Sequence, residues 1–160
     1  NPEDAQAHFL RAQIIGKSGD KRAAIKGYTK AIKVDPEFAL AYLHRGLALD
    51  SLGEDSAAFD DYSLCIELKP KLARASNGRG LIYFNRGEIQ AAIKDYNKAI
   101  EMQPVYIDPY INRGRAYSKA GQLKKALADY QKFLQSFPRH PQAQRVRNAI
   151  AKLNERLKKS

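Results

Sequence analysis

Few residues of this sequence have the type and spacing that chemistry requires. Gly16-Lys17-Ser18-Gly19 resembles the end of a phosphate-binding loop. That motif needs another glycine five residues before Gly16, where Arg11 stands, and it follows a strand, which the sequence does not predict here. A turn between two helices is therefore the better explanation of these glycines.

Metal-binding and nucleophilic residues are also poorly placed. His8, His44 and His140 lie at separations that match no metal-ligand pattern. The single cysteine, Cys65, cannot form an internal disulfide and pairs with no histidine in a catalytic pattern. Adjacent carboxylates such as those of residues 60 and 61 point to different sides of a helix. We therefore predict no enzyme activity, no metal site and no cofactor.

The elements that position these residues are copies of one unit. Small, aromatic and proline positions recur with a period of 34 residues, and such a period is typical of a repeat array. In the best copy, residues 73–106, these positions are Gly80, Tyr83, Gly87, Ala92, Tyr96, Ala99 and Pro104. The copies on either side carry Gly46, Leu49, Gly53, Ala58, Tyr62, Cys65 and Pro70, and Gly114, Tyr117, Gly121, Ala126, Tyr130, Phe133 and Pro138. A looser first copy carries Ala12, Ile15, Gly19, Ala24, Tyr28, Ala31 and Pro36.

This pattern resembles the tetratricopeptide repeat (TPR) family, whose repeat has 34 residues. Two positions depart from the family: its tryptophan is replaced by residues such as Tyr42, and the leucine before the glycine is always arginine. The resemblance implies an all-α, right-handed superhelical solenoid of four helix-turn-helix repeats. It also implies a scaffold that binds a peptide segment of a partner in a concave groove lined by the first helix (A) of each repeat.

We predict a single domain over 1–160 with repeats at about 5–38, 39–72, 73–106 and 107–140. The helices are predicted at about 5–17, 20–34, 38–51, 55–68, 72–85, 89–102, 106–119 and 123–136, because glycine and proline end them. Mid-helix glycines make room for the second helix (B), and the recurrent tyrosines fill the core. Cys65 occupies a slot that alanine fills in other copies, so we predict a small buried residue.

Three arginines recur in step with three aspartates: Arg45 with Asp61, Arg79 with Asp95, and Arg113 with Asp129. We predict a ladder of ion pairs between helices A and B, either within or between repeats. The alternative is that both side chains face water, where an ion pair contributes only about 0–1 kcal/mol.

The pattern changes after Pro138, where a last helix is predicted at about 141–158, with Pro141 in its first turn. Its apolar residues, Ala143, Val146, Ile150, Leu153 and Leu157, alternate in steps of three and four, and the remainder is basic. A cap that covers the end of the array is the main interpretation. A basic amphipathic helix for a membrane surface or an acidic partner is the alternative.

The predicted groove combines apolar side chains toward the first half with polar and basic ones toward the second. It comprises Phe9, Gln13, Leu40, Leu43, His44, Leu47, Arg74, Asn77, Leu81, Phe84, Ile111, Asn112, Arg115 and Lys119. Leu43, Leu47, Leu81 and Phe84 are expected to form an exposed apolar patch, and large patches of this kind usually mark interaction sites. The alternative is that neighbouring repeats partly bury them. Gly78 has no packing reason in the sequence, so close approach of a partner backbone is one explanation. The family's clamp for a terminal carboxylate is not predicted, because its positions are mostly filled by other residue types.

Composition leaves a second and a third function open. The net charge of +11 and pI of 9.8 suggest nucleic-acid binding, but the tyrosines occupy core positions and do not alternate with the basic residues. Self-assembly through exposed ends of the array is the other alternative. No stretch approaches the roughly 18 apolar residues of a membrane helix. We therefore predict a soluble protein, with the cytoplasm slightly favoured. We expect its partner to provide a segment with apolar anchors and acidic residues.

Overall fold

The computed structural model describes residues 4–159; the ends of the predicted domain, residues 1–3 and Ser160, lie outside this range. Within it the chain forms nine α-helices and no strand. They are α1 (Ala5–Lys17), α2 (Lys21–Val34), α3 (Ala39–Asp50), α4 (Asp55–Leu68), α5 (Ala73–Asn85), α6 (Ile89–Met102), α7 (Asp108–Lys119), α8 (Leu123–Ser136) and α9 (Ala143–Lys159). The contacts divide the chain into two compact units, Asn1–Arg79 and Gly80–Ser160. The single domain over 1–160 stays a prediction.

The turn glycines end the A helices as predicted. Gly19, Gly53, Gly87 and Gly121 adopt φ values of 102°, 75°, 83° and 75°, a conformation that side chains with a Cβ rarely take. The eight repeat helices agree with prediction to within one or two residues. The last helix begins at Ala143, two residues later than predicted. Backbone bonds from His140 N to Phe137 O and from Ala143 N to His140 O hold the preceding segment in turns.

The core of the first unit is built from α1 to α4. One cluster joins Phe9, Ala12, Ala24, Tyr28, Ala31 and Ala41. In α4, Tyr62 and Cys65 are completely buried, and burial raises the pKa of the Cys65 thiol to about 11. The prediction of a small buried residue at Cys65 is therefore confirmed.

Gly78 has a packing role that the sequence did not show. A Cβ at Gly78 would lie 2.5 Å from Cζ of Tyr62, much closer than real contacts allow. Gly46 approaches the same ring, with an added Cβ at 2.9 Å from Cε1. Tyr62 therefore packs against the backbone of two successive A helices. This contact replaces close approach of a partner as the explanation of Gly78.

The core of the second unit includes the last helix. Ala143, Val146 and Leu153 of α9 are buried in one cluster with Ile111, Ala126, Tyr130 and Phe133, and Ile150 packs against it. Helix α9 thus covers the apolar side of the last repeat, and the predicted cap is confirmed as a packing arrangement.

Two of the predicted ion pairs form with both carboxylate oxygens. Arg45 donates from Nε and Nη2 to Asp61 at 2.8 and 2.7 Å, and Arg113 does the same to Asp129 at 2.8 and 2.6 Å. Nη1 of these arginines also donates to helix B of the preceding repeat, at Thr29 Oγ1 and Asn97 Oδ1. Each arginine therefore ties its own repeat to the one before it. The pairing of Arg79 with Asp95 stays a prediction.

Candidate functional site

Four of the predicted groove residues are buried. Phe9, Leu43, Asn77 and Ile111 are only 4%, 3%, 9% and 8% exposed. Phe9 packs its ring against Phe38 and Tyr28, at centroid distances of 4.9 and 5.8 Å. Ile111 belongs to the core of the second unit. Leu43 therefore does not belong to an exposed apolar patch, whereas contact of these four residues with a ligand stays a prediction.

A cleft of about 490 Å³ lies on the first unit. It contains four of the predicted residues, Gln13, His44, Leu47 and Arg74, which come from α1, α3 and α5. Its remaining lining is Gly16, Lys17, Lys21, Ala24, Tyr28 and Ala48. Leu40, by contrast, packs partly buried against the core cluster of this unit.

The cleft is more basic than the sequence predicted for this part of the groove. Lys17, Lys21 and Arg74 are all exposed, and the residues that line the cleft include no carboxylate. Lys21 comes from the start of helix α2, which was not considered because only A helices were assigned to the groove. Its position directly after the turn between α1 and α2 is the sequence feature that could have placed Lys21 beside the groove. The cleft therefore presents cations beside apolar walls formed by Leu47 and Tyr28.

His44 lines this cleft. Its Nε2 is 3.4 Å from Nε2 of Gln13, and its ring meets the edge of Phe9 at a centroid distance of 5.2 Å. Burial lowers the pKa of His44, and the charge of Arg74 lowers it further. The ring is therefore neutral at neutral pH and carries one N–H donor and one acceptor nitrogen. Together with Gln13 and the cations, it favours a ligand that offers carbonyl or carboxylate oxygens.

The predicted residues of the second unit form a different arrangement. The guanidinium of Arg115 lies 4.9 Å from the ring centroid of Phe84, and Nζ of Lys119 lies 5.1 Å from it. The sequence predicted Phe84 as an apolar anchor and the two cations as a separate basic end. The structure combines them into one cation–aromatic cluster, in which each cation is attracted by the ring electrons. Leu81 and Asn112 are partly exposed.

Residues 4–159 contain neither a metal-binding cluster nor a membrane-spanning helix. No group of three or more His, Cys, Asp or Glu side chains there could hold a metal ion. In the same part of the chain, every helix is too short or too polar to cross a bilayer.

Comparison with known proteins agrees with the repeat pattern. A model described as TPR repeat matches residues 80–121, and two described as tetratricopeptide repeat match residues 16–73 and 107–140. Among curated proteins, no sequence matches the chain significantly.

Solved structures with the same fold include a crystal structure of MamA, which is 29% identical with a TM-score of 0.78. The match covers 85% of this chain and 80% of that one. MamA 41-end from Desulfovibrio magneticus RS-1 is 19% identical with a TM-score of 0.85, over 96% and 85% of the two chains. The first TPR of Spaghetti (RPAP3), bound to HSP90 peptide SRMEEVD, is 22% identical with a TM-score of 0.71, over 76% and 96%. With its nine described helices and its 34-residue period, the chain belongs to the tetratricopeptide repeat family.

Proposed function

We propose that this chain is a protein-interaction module that binds an extended segment of a partner protein through the accessible residues of its A helices. The fold and its neighbours support protein–protein interaction as the general role. The observation that carries the finer proposal is the cleft of the first unit, which brings together Gln13, His44, Leu47 and Arg74. Its volume lies within the range of about 300–1,000 Å³ that is typical of ligand pockets.

The chemistry of the cleft defines the segment that it fits. Gln13 and the neutral His44 can bond main-chain amides of any sequence, because each offers a donor and an acceptor. Leu47 and Tyr28 provide an apolar wall for one aliphatic or aromatic side chain. Lys17, Lys21 and Arg74 add three cations, so an acidic residue beside the apolar one completes the match.

The neighbouring structure with a bound peptide supports this proposal at the level of the fold. The first TPR of Spaghetti (RPAP3) is bound to an HSP90 peptide, SRMEEVD, so a peptide ligand is compatible with a fold of this type. That protein is only 22% identical to this chain, so the sequence of its peptide is not transferred. The partner proposed here is defined only by its apolar anchor and its acidic residues.

Selection from a random peptide library displayed on phage tests the proposal without a known partner. Peptides selected on the intact chain are then measured against Leu47→Asp, which places a charge on the apolar wall of the cleft. We expect a loss of affinity of at least about 30-fold, the effect of removing a contact that is worth about 2 kcal/mol. Leu64→Asp is the matched control, because Leu64 is an exposed leucine on α4 that does not line the cleft.

A second variant tests the cations separately. Arg74→Glu should weaken acidic peptides and leave neutral ones nearly unchanged, whereas Arg139→Glu, an equal change at another exposed site, should affect neither. Circular dichroism of each variant establishes that the helices are retained. Peptides that bind Leu47→Asp and Leu64→Asp as tightly as the original chain would place the binding surface outside the cleft.

A further inference from the structure

The exposed surface of α9 carries a row of cations. Arg145, Lys152, Arg156 and Lys159 are all exposed and follow one another at steps of seven, four and three residues. At 100° per residue, these positions fall within an arc of about 60° on the helix. The packed residues Val146 and Leu153 lie on a different side. The cations therefore form a single row along one flank of the helix.

This row contacts helix α7. Arg156 donates from Nη1 to Ser118 Oγ at 3.4 Å, and Ser118 lies next to Lys119 and three residues after Arg115. Burial raises the pKa of Tyr130, and the positive charges of Arg115 and Arg145 both lower it in part. We name Arg115, Lys119, Arg145, Lys152, Arg156 and Lys159 together the α7–α9 cationic face.

The charges of this face are not compensated within the part of the chain that the structure describes. None of its six cations forms an ion pair with a carboxylate of residues 4–159. Asp129, the buried carboxylate nearest in sequence, is already held by Arg113. Glu155, the acidic residue of α9, stands three residues after Lys152 and four before Lys159, so it can offset only one of the six positive charges. Like charges gathered in this way repel each other, and an anionic partner relieves that repulsion.

The surroundings of the face indicate the chemistry of that partner. Val146, Ile150 and Leu153 of α9 pack against the core of the second unit, and no large apolar side chain of α9 is fully exposed, so the helix offers little to insert into a bilayer. The ring of Phe84 is already covered by Arg115 and Lys119, so it is not a stacking platform for a nucleic-acid base. Carboxylates on a flexible chain fit a row of separated cations without either feature.

We propose that the α7–α9 cationic face docks an Asp- and Glu-rich segment of a partner protein. Helix α9 lies outside the repeats, so this surface extends beyond the A-helix residues of the proposed function and does not depend on the cleft of the first unit. The two surfaces can be tested separately.

A fluorescein-labelled oligoglutamate peptide is the probe, with an oligoglutamine peptide of equal length as the neutral comparison. The variant Arg145→Glu/Lys152→Glu/Arg156→Glu reverses three charges of the face. The control Lys26→Glu/Lys30→Glu/Lys33→Glu reverses three exposed charges of α2 and changes the net charge by the same amount. We expect at least about a tenfold loss of oligoglutamate affinity in the α9 variant and less than about threefold in the control. Replacing the same three α9 residues by glutamine should give a smaller loss in the same direction, which covers the case in which charge reversal disturbs folding.

Four results would overturn the proposal. Equal losses in the α2 and α9 variants would mean that net charge alone attracts the peptide. Equal binding of oligoglutamine would mean that carboxylates are not recognised. Binding of duplex DNA or phosphatidylserine vesicles in place of oligoglutamate would assign the face to a different class of partner. Loss of oligoglutamate binding in Leu47→Asp would assign the peptide to the cleft, whereas unchanged binding there supports the α7–α9 face whether or not the cleft has a ligand.

Discussion

The pair formed by Arg113 and Asp129 offers a quantitative test of what holds adjacent helices together. We consider the variants Arg113→Met and Asp129→Asn and their combination, because both replacements keep the approximate size of the side chain and remove its charge. The quantity of interest is the coupling energy. It is the difference between the change in unfolding free energy of the double variant and the sum of the changes of the two single variants.

The structure indicates a large coupling. The side chains of Arg113 and Asp129 are 18% and 7% exposed, and two charge-assisted hydrogen bonds of 2.8 and 2.6 Å join them. Removing one partner of such a buried pair costs about 3–5 kcal/mol, since the other charge is left without compensation. Replacing both charges should cost no more than removing one of them alone, so we expect a coupling of at least about 3 kcal/mol. Arg22 and Glu54 form one contact of 3.3 Å at 76% and 40% exposure, and their coupling should be about 0–1 kcal/mol.

Urea unfolding followed by circular dichroism measures the free energy of unfolding of each variant. The pair of Arg45 and Asp61 provides a second measurement of the same kind. Its side-chain exposures of 21% and 4% and its bond lengths are nearly the same as those of Arg113 and Asp129. The two couplings should agree within about 1 kcal/mol. If the coupling of Arg113 with Asp129 is no larger than that of Arg22 with Glu54, the pairs do not stabilise the packing of A and B helices, and the reasoning from burial fails.

Three further predictions concern packing, pH and the last helix. Gly78→Ala should destabilise the chain by about 1–3 kcal/mol in urea unfolding, because the added Cβ meets the fully buried Tyr62 ring; an unchanged midpoint would contradict this. Because the pKa of His44 is lowered in the folded state, the unfolded state binds the proton first, and stability should fall as pH drops below the ordinary value of 6.5. His44→Gln should remove that part of the fall in a comparison of melting temperatures at pH 7 and pH 5; an identical pH dependence in both proteins would contradict the assignment. Deletion of residues 140–160 should lower the melting temperature or cause aggregation, because it uncovers the cluster around Phe133; a truncated chain that stays monomeric and equally stable would show that α9 is not a cap.

The repeat helices were predictable because the same residue types carry the signal in every copy. Glycine marks the end of each A helix, and its positive φ in the structure supplies the physical reason. The glycine and tyrosine positions form complementary contacts, as Gly46 and Tyr62 do, so their recurrence defines both the helices and their packing. The start of α9 was missed because backbone bonds around His140 hold the preceding residues in turns, and no side-chain pattern signals those bonds.

For the candidate site, the sequence did not predict which residues of each A helix are buried. The four buried residues that were assigned to the groove, Phe9, Leu43, Asn77 and Ile111, occupy the same position in successive repeats. A sequence places a residue on a helix face, but neighbouring helices decide whether the edge of that face stays open. In the first repeat, Phe38 and Tyr28 pack against Phe9; the sequence predicted Tyr28 in the core but not its contact with Phe9.

The position four residues later is accessible in all four repeats. Gln13, Leu47, Leu81 and Arg115 occupy it in successive repeats, and all four are partly or fully exposed. Four residues correspond to about 40° around a helix, so a small rotation separates a buried register from an accessible one. The accessible register changes along the chain from amide to leucine, leucine and arginine, while the glycine and tyrosine positions that build the core recur. Packing constrains the core positions and leaves this one accessible, so the residue type at this position can change from repeat to repeat without any change to the fold.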